Sequence, residues 1–239
     1  MKPVSESLDT VGLIARSVAD VALLASAVTG RPALAKLSSV NAPRVGVWRT
    51  YEWEQAAPET ASALETAARC FAEAGASVRE AAMLKLFSEL TITHEDIQFF
   101  EMARSLAFEM RYHRDLLSAS LRTSMEQGMR CAPETYDRKI EIAAECRRVI
   151  DRVFDDFDIL LAPSAPGEAP KGLEITGSAV FNRGWTLLAL PCVTLPAFTG
   201  PQGLPVGVQL IGRFWHDAQL LAHAEWAHDC IEQRRAPCR

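Results

Sequence analysis

From Ser17 onward, apolar side chains recur at Val21, Leu24, Ala25 and Val28 until Gly30 and Pro32 break the pattern. That spacing is the repeat of an amphipathic helix, and both of its ends are marked. The Ser17 hydroxyl can accept from the N3 amide, and Asp20 complements the positive helix end. Gly30 suits a left-handed C′ position, and Pro32 prevents continuation. These signals predict a helix of about 13 residues. The rhythm then changes: "PRVGVW" (43–48) is a short apolar run that reads as a buried strand. Pro58 suits the first turn of a second helix with Leu64, Ala67, Ala68 and Phe71 as its apolar face. Gly75 ends it, and "ASVREA" returns to a strand. Helix, strand, helix, strand points to an α/β layer with crossovers.

Residues 86–157 carry helical periodicity almost throughout, with breaks expected at Gly128 and Pro133. Ile140, Ala143, Ala144, Ile150, Val153, Phe154 and Phe157 form a broad apolar stripe on the last helix of this stretch. The segment reads as a helical insertion covering one face or side of the sheet. Beyond it, "DILLAP" (158–163) is a strand stopped by Pro163, and "SAPGEAPKG" is a loop. "AVFNRGWTLLAL" (179–190) is a helix with Gly184 inside it, and "CVTLPA" and "PVGVQLIG" are strands joined by "FTGPQGL". From Asp217 a last helix sets Leu220, Leu221, Ala224, Ala227 and Ile231 on one side. No repeat and no long linker interrupts the chain, so 1–239 reads as a single α/β domain, a mixed sheet flanked by helices.

Composition narrows the function. The formal net charge of −5 comes from 25 basic and 30 acidic residues mixed along the chain, which gives no footprint for nucleic acid. Val18 to Val28 resembles a signal-peptide core, and Ala25-Ser26-Ala27 resembles a cleavage site. Glu6 and Asp9 stand where a positive region is wanted, and Asp20 interrupts the run, so a soluble helix and no membrane span are expected. Cysteines at 70, 131, 146, 192, 230 and 238 have no C-x-x-C spacing, which fits reduced thiols in a cytoplasmic protein and no bound metal.

Local candidates for chemistry are weak. Lys36-Leu37-Ser38-Ser39 brings a lysine and two serines together but has no glycines to aim backbone donors, so a surface loop is expected. Cys192 lies in an apolar strand and reads as a buried inert thiol. His223 and His228 are five apart on a helix and share no metal-binding face. His94-Glu95-Asp96 reads as a solvated helix turn, and His216 as a structural residue at a helix start.

Two longer blocks carry more information. "SESLDTVGLIARSVADVALLASAVTG" resembles the segment that follows the catalytic signature of amidase signature hydrolases. "DILLAPSAPGEAP" and "FNRGWTLLALPCVTLPAFTGPQGLPVGVQLIGRFWHDAQLLAHAEWA" resemble that family's C-terminal end. The W-T-L-L-x-x-P-C form resembles the malonamidase-like branch most closely. The resemblance implies the C-terminal part of the amidase signature fold and hydrolysis of a carboxamide C–N bond by an acyl-enzyme route. In that family a lysine acts through a bridging serine on a serine nucleophile, and a glycine-rich loop binds the oxyanion. Those elements precede a segment ending "LKP", which Lys2-Pro3 match, and these 239 residues hold no Gly-Gly pair. The expectation is therefore a chain with no catalytic residue of its own and no cofactor.

The resemblance implies that Asn182, Trp185 and Thr186 line the amide pocket, with core packing as the equal alternative for Trp185. It implies that Asp9 and Arg16 support the site through an ion pair or a backbone cap. The expected partner is a small-molecule amide, together with an N-terminal amidase half and, when expressed alone, further copies of the chain. Alternatives are a catalytically inactive remnant, an accessory subunit completing a split amidase, and a binding protein that keeps only the pocket.

Overall fold

Ser17 begins the first helix as its sequence suggests. In the computed structural model, which describes residues 2–235, its Oγ accepts from the Asp20 N–H at 3.1 Å. Helix α1 (Val18–Thr29) ends at Gly30, which is left-handed with φ 66°. The face is a different matter. Val18 and Ala22 are buried, whereas Leu24 and Val28 are exposed. This helix is apolar nearly all round, so its periodicity could not select the face that packs. Strand β1 (Arg44–Val47), helix α2 (Pro58–Glu73) and strand β2 (Ser77–Glu80) follow. On α2 the predicted residues Leu64, Ala67 and Phe71 are buried.

Four helices succeed β2: α3 (Leu90–Ser105), α4 (Ala107–Tyr112), α5 (Ala119–Arg130) and α6 (Pro133–Asp156). Pro133 opens α6 at its first turn, where its missing N–H costs nothing. Gly128 is not a break. It lies inside α5, and a Cβ there would sit 1.8 Å from the Phe99 carbonyl oxygen, so the glycine lets α5 press against α3. Of the expected α6 stripe, Ala143, Ile150, Phe154 and Phe157 are buried, while Ala144 is exposed.

The chain then forms β3 (Ile159–Pro163), α7 (Val180–Leu188), β4 (Cys192–Thr199), β5 (Pro205–Ile211) and α8 (Asp217–Arg235). The five strands make one mixed sheet in the order β2-β1-β3-β5-β4. β1 runs parallel to both β2 and β3, while β5 is antiparallel to β3 and β4. Val45 is in register with Val78 and Ile159, and Leu210 with Leu161 and Val193. This is the mixed α/β architecture that the sequence implies.

Every residue of β3 is buried, as a central strand requires. Its side chains alternate between two cores. Ile159 and Leu161 join residues of α1, α2 and α8, whereas Leu160 and Ala162 join residues of α3, α6 and α7. The strand directions place the C-terminal ends of β1, β3 and β4 at one edge, beside the start of β5. Loops gather there. The Ala57 N–H donates to Pro166 O at 2.6 Å, and Glu168 accepts from the N–H groups of Gln202 (3.1 Å) and Leu204 (2.8 Å).

Candidate functional site

Helix α7 is fixed against this edge by polar bonds at both ends. Gln209 on β5 donates through Nε2 to Pro163 O (2.7 Å) and Phe181 O (3.1 Å), joining β5, β3 and α7. Asn182 Nδ2 donates to Ser164 O at 3.0 Å. At the other end Arg147 caps the Leu187 carbonyl with Nε (2.9 Å) and Nη2 (2.7 Å). Lone C-terminal carbonyls of a helix need such donors.

Between these anchors Trp185 turns inward. It meets Trp48 edge-on at 5.7 Å, and Trp48 meets Phe87 edge-on at 5.4 Å. Edge-to-face pairing aligns positive ring edges with negative ring faces. These aromatics, together with Thr50, Glu52 and Thr91, wall a narrow cleft that encloses only about 20 Å³. The cleft lies where β1 ends, at the C-terminal edge of the parallel strands, the usual position for ligands in open α/β sheets. Thr91 Oγ1 donates to Glu52 across it.

The structure brings only part of the expected residue set here. Trp185 lines the cleft and is also part of the core. Asn182 spends its amide on Ser164 O and so ties α7 to the loop after β3, whereas Thr186 Oγ1 donates back within the helix to Asn182 O at 3.3 Å. Asp9 caps the chain start by accepting from the Val4 N–H at 2.7 Å. Arg16 is exposed just before α1. Neither Asp9 nor Arg16 lines the cleft.

Other residues differ from expectation. His94 is not a solvated turn: it is buried on α3, and desolvation, with the Arg183 charge adding to it, pushes its imidazole down to about 4. Its neighbours are ion-paired, Glu95 to Arg183 and Asp96 to Lys139 (3.1 Å). Cys192, read as a buried inert thiol, has an open residue surface on β4, but its Sγ, directed at Leu190 O (3.6 Å), is desolvated. Desolvation still pushes that thiol up to about 12, which keeps it unreactive. Lys36, Ser38 and Ser39 are exposed, as a surface loop should be. His216 begins α8 with Nδ1 3.2 Å from Gln219 Oε1.

One polar hub had no sequence signal. Glu101 on α3 accepts from Ser5 Oγ (2.7 Å), Ser7 Oγ (2.6 Å), the Ser7 N–H (3.0 Å) and Tyr136 OH (2.8 Å). Burial would raise this carboxyl, but the bonds from Ser7, Ser5 and Tyr136 outweigh it and hold it below the ordinary range. The hub pins the N-terminal segment onto the helical layer. Serines separated from Glu101 by most of a hundred residues could be matched to it only by folding. Among the described residues no His, Cys, Asp or Glu cluster is arranged to hold a metal, and no helix is long and apolar enough to cross a membrane.

A mixed sheet flanked by helices, with an aromatic cleft at its strand ends, defines a mixed α/β protein. Comparison with known proteins gives the family. Residues 1–221 match the family model described as Amidase, and the chain belongs to the amidase signature family. It is 28% identical to 2-amino-5-chloromuconic acid deaminase of Comamonas testosteroni, over 98% of this chain and 54% of that protein. It is likewise 28% identical to one subunit of the mitochondrial glutamyl-tRNA(Gln) amidotransferase of Ornithorhynchus anatinus, over 94% of this chain and 52% of that one. A crystal structure of an amidase superposes with a TM-score of 0.85 at 25% identity, over 97% of this chain and 54% of the other. The chain thus spans about half the length of the curated relatives it matches.

Proposed function

We propose that this chain is the C-terminal portion of an amidase signature hydrolase and that it contributes the substrate-facing wall for cleavage of a carboxamide C–N bond. The observation that carries this reading is the aromatic cleft beside Trp185, placed at the C-terminal ends of the parallel strands on the helix that resembles the family's substrate segment. Asn182 serves the substrate indirectly, by holding the helix that presents Trp185. Asp9 and Arg16 support the segment leading into α1. The chain acts as one unit, with 86–157 as a helical insertion, in a cytoplasmic setting with reduced thiols.

The lysine and serines of the family's mechanism are supplied by a segment or separate chain carrying the Gly-Gly-Ser-Ser element. Supporting this, Val11 is 69% and Ile14 is 96% exposed, and β4 pairs only with β5 among the described strands. Exposed apolar side chains and an open strand edge are each features of a surface that another chain covers. Without that cover the chain self-associates.

The test uses a serine-reactive fluorophosphonate on the purified 239-residue chain, alone and mixed with the N-terminal half of a related amidase. The expected result is no labelling alone, and labelling with hydrolysis of a simple amide in the mixture. Labelling of the isolated chain would show a nucleophile of its own. A mixture that assembles and labels but cleaves no amide would overturn the hydrolase reading. Sedimentation of the isolated chain as a clean monomer would count against the covered-surface argument.

A further inference from the structure

Glu101 does not line the cleft, yet its half-buried carboxylate is matched on both oxygens. Oε1 accepts from Ser7 Oγ (2.6 Å) and Tyr136 OH (2.8 Å). Oε2 accepts from Ser5 Oγ (2.7 Å) and the Ser7 N–H (3.0 Å). A carboxylate offers about four acceptor sites, so this one is filled. All four partners are neutral, and burial of the charge opposes the bonds that hold it. A fully satisfied network of this kind adds little net stability but fixes one arrangement of the groups it joins.

Three of those bonds end on Ser5 and Ser7, in a segment with neither helix nor strand to shape it. The segment closes a turn on itself. Ser5 O accepts from the N–H groups of Leu8 (3.1 Å) and Asp9 (2.8 Å), and Asp9 accepts from the Val4 N–H (2.7 Å). That turn gives a local shape but no place on the molecule. Glu101 sets the place, with Leu8 buried in the core of α3, α6 and α7. The exposed pair of Lys2 and Glu109 adds little to it. On the other side Tyr136 of α6 stacks on Phe100 at 4.1 Å, with the rings 13° apart, so the carboxylate stands on a rigid base. Lys2-Pro3 resembles the close of the stretch that carries the family's serines. A shift of residues 2–9 would therefore pass directly to those groups.

We propose that Glu101 is a positioning residue: through Ser5 and Ser7 it sets where residues 2–9 meet the nucleophile-bearing segment, and so where that nucleophile stands. This rests on the hydrolase reading above. Glu101 touches no reacting group and acts only through the turn it holds. A carboxylate does this better than an amide of the same size. Glutamine keeps one oxygen for the Ser7 N–H, but its NH₂ meets hydroxyls that must then find other acceptors.

The test uses the full chain mixed with the N-terminal half of a related amidase, read by the rate of fluorophosphonate labelling and by kcat and KM for a simple amide. Glu101→Ala should lower kcat and the labelling rate by at least about tenfold and leave KM within about twofold, because displaced reacting groups cost rate rather than binding. Glu101→Gln should recover part of that rate. Ser7→Ala, at an exposed position, covers the case of a Glu101 variant that does not fold. It should slow labelling by about fivefold, the share of one hydrogen bond. In the chain alone, exchange of the Ser7 amide hydrogen should quicken by about tenfold in Glu101→Ala. Ile159→Val removes one methylene from the opposite core, lowers stability and should label at the native rate. Native rates in both Glu101→Ala and Ser7→Ala, an unchanged Ser7 exchange rate, or equal slowing in Ile159→Val would overturn the positioning role. A native mixture that does not label sinks the hydrolase reading and this one with it. A native mixture that labels, with the Glu101 and Ser7 variants labelling as fast, sinks this one alone.

Discussion

The two faces of the sheet are finished differently. Under α1, α2 and α8 the core is built mainly from aliphatic side chains, such as Val45, Val47, Leu64, Ile159, Leu161 and Val208, with Phe71 as its fully buried aromatic. Under α3, α6 and α7 the core includes Trp48, Phe87 and Trp185, and its helices carry Thr93 Oγ1, His94 Nδ1 and Trp185 Nε1 without partners among the described residues. The first face has one comparable atom, His223 Nδ1 on α8. A core that serves stability alone matches its polar groups or excludes them. Orphaned atoms gathered on one face mark it as the side on which the fold has been shaped for something besides packing.

The sharpest way to separate the faces is a pair of neighbouring substitutions on β3. Leu160 and Leu161 are both fully buried, and they point into opposite cores. Leu160→Ala and Leu161→Ala should each cost roughly 2–5 kcal/mol, from lost transfer energy plus the cavity left behind. Denaturant unfolding measures that cost. Only Leu160→Ala should also move the indole N–H resonance of Trp185, because Leu160 shares a core with Trp48 and Trp185. Equal disturbance of the indole by both variants would erase the distinction between the faces.

Acid tests the second face through His94. Its imidazole is lowered from 6.5 to about 4 by burial first and Arg183 second, so the folded protein keeps it neutral where the unfolded chain already binds a proton. The contribution is fully present above pH 6.5 and declines as pH falls toward 4. At pH 5 the loss should be roughly 2 kcal/mol, taking about 1.4 kcal/mol per pH unit below the unfolded pKa. His223 is also lowered, by desolvation opposed by Asp158, and it acts in the same direction. Unfolding curves at pH 7 and pH 5 for the native chain and for His94→Gln check this. A variant as acid-sensitive as the native protein would remove His94 from the account.

How much of this could be read from the chain depended on the range of the interaction. Helices α2 and α8 were legible down to their buried residues, because amphipathic spacing and end signals are local. Strand β3 was legible as a short apolar run closed by proline. The α1 face was not, since its apolar residues surround the helix, and Gly128 was misread because a glycine that breaks a helix looks the same as one that admits a neighbour. At the site, Trp185 was legible from its motif. Thr50 and Glu52 were not, because they stand on the loop after β1 and join Trp185 only through the β1–β3 pairing and the packing of α7. His94 was missed because charged neighbours suggested solvent, whereas Arg183 and Lys139 bring their own partners to Glu95 and Asp96.

The smallest expected effect belongs to the first face and acts as a control on the other. Ser17 Oγ accepts the Asp20 N–H at 3.1 Å, so Ser17→Ala leaves one amide of the first α1 turn without its partner. An N-cap of this kind is worth about 1 kcal/mol. The loss should stay local, because Val18 and Ala22 keep their places in the aliphatic core. Denaturant midpoints should therefore fall slightly, while the Trp185 indole N–H resonance stays where it was. A shift of that resonance would mean that α1 and the cleft are coupled through the sheet, and the two faces would then have to be treated as one.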